Sequence, residues 1–162
     1  MKKLTRKLAC VMMALMLLVG ALTGCSTESD TQWYLHKSIS LQEKYGTLPQ
    51  EGTVGNLDYR ILEKDAFSCY ESEAGYYIDM LEEPDSPYFI VITLGSKAKD
   101  AVEIVDLGMD GTTLQIVIAH ADATGDESDS KSSPCCVLQV NQMPGSIEIH
   151  DRNGRTYELI EK

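Results

Sequence analysis

Tyr88, Phe89, Ile90, Val91, Ile92, Thr93 and Leu94 form an unbroken run of aromatic, β-branched and apolar residues. Pro84 and Pro87 precede it and Gly95 follows it, so the run is too short for a buried helix and has the composition of a strand covered on both faces. With a period of two, Ile90, Ile92 and Leu94 point to one face and Phe89, Val91 and Thr93 to the other. Such a strand needs a neighbour on each side and a layer above and below. The remainder of the chain must supply both.

Downstream, Val102, Ile104 and Val105 lead through Gly108, Met109, Asp110 and Gly111 into Leu114, Ile116 and Ile118, which alternate cleanly with their neighbours. The pattern predicts an antiparallel hairpin with a tight glycine turn. A third unit runs from 137 to 140 and passes Pro144 and Gly145 to reach Ile147 and Ile149. Asp151, Arg152, Asn153 and Gly154 then turn the chain into Tyr157, Leu159 and Ile160, which predicts a second hairpin. Between these units, 121–133 mixes Asp122, Asp126, Glu127 and Asp129 with Gly125, serines and threonines and reads as an exposed loop.

Upstream, Leu57, Tyr59 and Ile61 alternate with Asp58 and Arg60 and predict a short strand. Phe67, Tyr70, Ala74, Tyr77, Ile78 and Leu81 then fall on one helical face, with Asp65 as N-cap and Pro84 as stop. That spacing predicts a helix over 67–81, in which Gly75 costs about 1 kcal/mol relative to alanine. The alternative is a hairpin turning at 73–75, with a strand over 76–80. The stretch 33–56 sustains no period and is broken by Gly46, Pro49, Gly52 and Gly55, so it reads as an extended lead-in. The order of elements gives an α+β fold: a mainly antiparallel β-sheet built from hairpins, with at most one helix packed on it.

The chain opens on Lys2, Lys3, Arg6 and Lys7, followed by an uncharged apolar stretch over 8–19 and then small residues. This is the pattern of a secretory signal peptide, and the stretch falls short of the roughly 20 residues a membrane span needs. Leu22, Thr23, Gly24 and Cys25 resemble the lipobox of bacterial lipoproteins. That resemblance implies acylation of the Cys25 thiol and cleavage before it, leaving a diacylglycerol anchor on the new N-terminus. Two or more acyl chains give stable anchoring where one does not. The expected layout is a signal peptide over 1–24, a lipidated tether over 25–32, the lead-in over 33–56 and one β-rich domain over 57–162.

Loss of 1–24 removes four of the 14 basic residues and none of the 25 acidic ones, leaving 10 against 25, a net charge of −15. A field of that sign repels phosphate backbones and anionic headgroups, which excludes nucleic acid as a partner and leaves the lipid on Cys25 as the membrane contact.

From Tyr88 to Ile160 the sequence also resembles the PrcB-like lipoproteins, a family named after an accessory subunit of a bacterial surface protease complex. The resemblance lies in the strand from Ile90 to Gly95 followed by Lys97, in the hairpin around Gly108 to Gly111, and in Pro134, Cys135, Cys136, Val137 and Leu138 leading to Met143, Pro144, Ser146 and Ile147. Where members commonly carry a Gly-Gly-Tyr motif after that lysine, this chain has Lys99, Asp100 and Ala101. The shared features are fold punctuation and not a catalytic motif.

Three cysteines remain in the body after Cys10 leaves with the signal and Cys25 takes the lipid: Cys69, Cys135 and Cys136. Adjacent cysteines are too close for an unstrained mutual bridge, since neighbouring Cα atoms lie about 3.8 Å apart, so Cys69 would pair with either Cys135 or Cys136. A nucleophilic cysteine would need a base, and His36, His120 and His150 are scattered without a framing motif. The adjacent cysteines do not have zinc spacing, and the acidic loop lacks the glycine and distal glutamate of a calcium loop. These readings call for no metal, no cofactor and no enzyme. They lead to a lipid-anchored, non-catalytic binding or accessory module of the bacterial envelope, facing outward from the membrane and assisting another protein such as a protease. The rival is a small envelope enzyme or metal-dependent site built on Cys69, Cys135, Cys136 and a histidine. Tyr70, Tyr76, Tyr77 and Tyr88 serve either as a contact surface or as the rim of a modest core.

Overall fold

A computed structural model describes residues 35, 40–63, 66–81, 83, 85–121 and 132–161. The signal peptide, Cys25, the tether, His36 and the carboxylates of the acidic loop lie outside the described residues. Within them the chain forms one short helix, α1 (Leu41–Tyr45), and eight strands: β1 (Glu51–Val54), β2 (Leu57–Ile61), β3 (Gly75–Met80), β4 (Tyr88–Thr93), β5 (Ala101–Asp110), β6 (Thr113–Ala121), β7 (Cys135–Val140) and β8 (Ser146–Asp151).

The strands make two sheets, one of five strands in the order β1-β2-β7-β4-β3 and one of three in the order β5-β6-β8. Every pairing in the larger sheet is antiparallel. β4 lies between β7 and β3, and its two faces enter two separate cores, as its composition requires. Ile90 and Ile92 join Leu57, Tyr59, Leu138 and Val140 against Ile104, Leu107, Leu114, Ile116, Ile118 and Ile149 of the smaller sheet, so the main core is the layer between the sheets. Val91 on the opposite face packs with Val137, Tyr77 and Cys69 under a cover that includes Leu62, Phe67 and Ile160.

The β5–β6 hairpin forms as its alternation predicts, closed by a two-residue turn in which Gly111 adopts φ 62. Its register carries a bulge at Val105, between Ile104 and Asp106. An extra residue reverses which side of the strand faces inward. Val102 and Ile104 reach the core before the bulge and Leu107 after it.

Three expectations are corrected. The helix expected over 67–81 is not formed: its second half is β3, which pairs with β4 along its whole length. Burial explains the choice, because Tyr76 and Tyr77 go to opposite faces of the sheet while Tyr70 and Leu81, which the helical face would bury, are exposed. Gly75 belongs to this strand for a steric reason: a Cβ there would stand 2.6 Å from the Glu158 carbonyl oxygen.

The second hairpin is reduced to a corner. β8 does not pair with β7 but crosses to the smaller sheet and runs parallel to β6. The crossing is held by Gly145, whose N–H donates to the Thr112 carbonyl at 2.9 Å and whose missing Cβ would lie 2.6 Å from Thr112 Oγ1. Both strands therefore leave from the same end. After β8, the chain returns through a single bridge between His150 and Thr156 and then meets the larger sheet, where Leu159 bridges Tyr76 in parallel.

The stretch read as an extended lead-in holds α1 and β1, and both join the body. Leu41 and Val54 lie in the main core. Ser40 caps α1 by accepting from the Glu43 N–H, and Gly46 ends it at φ 81.

Candidate functional site

The described groups with chemical potential gather in three places. The first is a sulfur pair on the outer face of the larger sheet. Register puts Cys135 opposite Thr93 and Cys136 opposite Ile92, so adjacent cysteines face different cores. Cys135 shares the outer cluster with buried Cys69, whereas Cys136 packs against the inter-sheet core. Cys69 bridges to Ser133 two residues before Cys135, and the two sulfurs are in hydrogen-bonding contact. Burial pushes the Cys135 thiol up to about 11, with the neighbouring Cys69 adding to the shift. Burial, followed by Cys135 and Glu103, pushes Cys136 up as well. Both effects hold the proton on sulfur, the reverse of what makes a thiol nucleophilic. Tyr77 on the same face is raised by burial and then by Cys69.

The second place is His120, near the end of β6. Its Nε2 lies 3.1 Å from the Tyr157 hydroxyl and 3.7 Å from Asp151 Oδ2, and its Nδ1 lies 3.6 Å from Asp100 Oδ2. Asp151 is buried, and its other oxygen accepts from the backbone N–H groups of Asn153 and Arg155, each at 2.9 Å. Tyr157 is buried too, with the Arg155 guanidinium 5.2 Å from its ring centre. Burial, then Asp151, raises its hydroxyl pKa. This arrangement clasps the C-terminal corner to β6 and to the start of β5. Its groups hydrogen-bond one another, and Tyr157 keeps its proton.

The third is an open depression of about 630 Å³ over β1, β2 and β7, lined in part by Glu51, Thr53, Asp58, Arg60, Asp85 and Gln139. Its charges are already paired: Arg60 binds Glu51 at 2.9 Å, and Asp58 accepts from Thr53 and Asn141 at 3.0 and 3.2 Å. Exposed ion pairs of this kind contribute about 0–1 kcal/mol.

The structure thus brings Cys69 and Cys135 together, sends Cys136 to the other face and places His120 among oxygen ligands. His150 lies beside Thr156, its Nδ1 3.4 Å from Oγ1. Among the described residues no group of three or more histidines, cysteines and carboxylates is arranged to hold a metal ion, and no helix is long and apolar enough to cross a membrane. Sequence reading missed Ser40, Asp100, Asp106 and Asp151, because each is a short polar residue whose partner lies far along the chain. The one local signal was Asp151 ahead of Asn153 and Gly154, an Asx-type turn. Comparison with protein-family models, with curated proteins and with solved structures finds no match.

Proposed function

We propose that this chain is a lipid-anchored, non-catalytic binding or accessory module on the exported face of a bacterial envelope. Cys25 carries the lipid, and the β-rich body holds another envelope protein, in the manner of the protease-assisting family that 88–160 resembles. The observation that carries the reading is where bonding capacity is left over. Among the described residues every buried side-chain nitrogen and oxygen already has a hydrogen-bond partner. Cys135 and Cys136 are held as thiols. The enzyme reading needs convergent groups with shifts toward reactivity, and these shifts run the other way. Exposed apolar side chains remain at Tyr70, Met80, Leu81 and Leu159.

Two measurements on intact cells test the proposal. Chemical cross-linking followed by mass spectrometry is expected to recover a protein neighbour, and recovery of none above background overturns the module. Cys25→Ser is expected to release the chain from the membrane fraction, because a body of net charge −15 has no electrostatic substitute for the lipid. A mutant that stays fully membrane-bound removes Cys25 as the anchor.

A further inference from the structure

β3 forms one edge of the five-stranded sheet, and its outer side is only partly covered. In an antiparallel pair, residues alternate between bonding to the neighbour and pointing away from it. Tyr76 points away from β4: its N–H donates to the Glu158 carbonyl at 2.9 Å and its carbonyl accepts from the Ile160 N–H at 2.7 Å. By the same alternation Ile78 and Met80 also turn their backbone groups outward. The C-terminal segment pairs in parallel at Tyr76 and Leu159 and goes no further. Among the described residues no backbone group meets Ile78 on that side, and the Met80 N–H is taken only by the side chain of adjacent Asp79, at 2.9 Å.

The side chains around this open ladder have a definite character. Ile78 is half-buried, while Met80 and Leu81 are 57% and 55% exposed. Asp79 beside them is exposed. The charge is of one sign: between 61 and 96 the chain has eight acidic residues and a single basic one, Lys64, and the covering tail adds Glu158 and Glu161. An unpaired edge of this kind invites a further strand, and its charge selects which one.

We infer that the outer edge of β3 at 78–81 receives an extended basic segment of another protein, added as a strand in line with the C-terminal tail. The inference rests on the binding-module reading and supplies its surface and the chemistry of its partner. Main-chain hydrogen bonds to Ile78 and Met80 hold the segment, Met80 and Leu81 cover its apolar side chains, and lysine or arginine at alternate positions answers Asp79 and the surrounding carboxylates. A second copy of this chain is disfavoured as the occupant, since it would bring the same acidic edge.

The test uses the acylated full-length protein in detergent and a fluorescent synthetic peptide of alternating lysine and valine, with binding read by anisotropy. Two comparison peptides replace lysine by glutamate or carry N-methyl groups on alternate amides. The lysine peptide is expected to bind, the glutamate peptide not to, and N-methylation to weaken binding about tenfold or more. Ile78→Pro removes an amide that points away from β4, so the sheet pairing is kept and a loss of about tenfold or more is expected. Asp79→Lys, at an exposed position, is expected to weaken the lysine peptide and strengthen the glutamate one. Equal binding of the methylated peptide, or full binding by Ile78→Pro, overturns the strand addition. Dimerisation that Ile78→Pro abolishes would make a second copy the occupant and overturn the basic partner. Cross-linked neighbours recovered equally from cells carrying wild type and Ile78→Pro would leave the module standing and remove this surface alone.

Discussion

The Ser40 hydroxyl donates to the buried carboxylate of Asp106, 66 residues further along the chain. The other oxygen of that carboxylate accepts from the Gln42 N–H at 3.0 Å and from the Asp106-adjacent Leu107 N–H at 2.9 Å. Asp106 follows the β-bulge at Val105, so the bulge in β5 is what aims a carboxylate at the start of α1. One residue thereby fastens the N-terminal part of the body to the smaller sheet.

Asp106→Ala is expected to destabilise the body by about 2–4 kcal/mol, because it removes a charged acceptor and strands the Gln42 and Leu107 donors. Ser40→Ala should cost about 1 kcal/mol through loss of the cap. The double variant should cost less than the two added together, since both act on one hydrogen bond. Thermal melts of the three variants check the cycle, and strict additivity would show that the contact is not energetically shared.

Ile92 is fully buried at the centre of β4, opposite Cys136 on one side and Tyr76 on the other. Ile92→Ala should cost about 2–5 kcal/mol, a large part of the stability of a domain of this size. Denaturant unfolding measures it. A midpoint equal to that of wild type would mean that β4 is not the central support it is taken to be.

Treatment of the folded protein with a small-molecule disulfide should link Cys69 to Cys135 and leave Cys136 reduced. Exchange consumes one reagent disulfide and releases two reagent thiols, while the two protein thiols give up their protons and join. Peptide mapping after alkylation identifies the pair. Cys135→Ser should abolish the link and Cys136→Ser should not, because Cys136 faces the inter-sheet core. On the chain-entropy model a closed loop of this length adds roughly 4 kcal/mol of stability.

Stability should fall in alkali. Cys135 titrates near 9 when unfolded and at about 11 in the fold. A group whose pKa rises on folding stabilises fully below its unfolded value and loses that contribution as pH climbs through the folded one. The loss attributable to Cys135 therefore spans about 9 to 11. Tyr157, also raised, adds to it above 10. Urea midpoints measured from pH 8 to 11 should decline steadily, and Cys135→Ser should flatten the lower part of that curve. A midpoint independent of pH would refute the assignment.

Much was settled by local pattern. The run at 88–94 announces a doubly covered strand because seven consecutive apolar residues leave it no face for water. The β5–β6 hairpin is written in its alternation and in Gly111, the residue that tolerates positive φ at a two-residue turn. The parity of Cys135 and Cys136 follows from the period of a strand, and with it the assignment of Cys136 to the core beside Leu138 and Val140.

What the chain order could not decide was which strand each of these segments meets. Phe67, Tyr70, Ala74, Tyr77, Ile78 and Leu81 match a helical period, yet β4 had an open side whose hydrogen bonds had to be met, and tertiary pairing with 75–80 outweighed a spacing worth a few tenths of a kcal/mol per residue. β8 abandons β7 for β6 because Gly145 lets the backbone close on Thr112. The choice of Cys135 over Cys136 as the partner of Cys69 depends on where 66–70 crosses the sheet. The meeting of Ser40 with Asp106, and of His120 with Asp100 and Asp151, depends on one inserted residue in β5 and on one returning corner. Side-chain period is a property of neighbours along the chain, whereas these contacts join groups tens of residues apart, and only the packed sheets bring them within bonding distance.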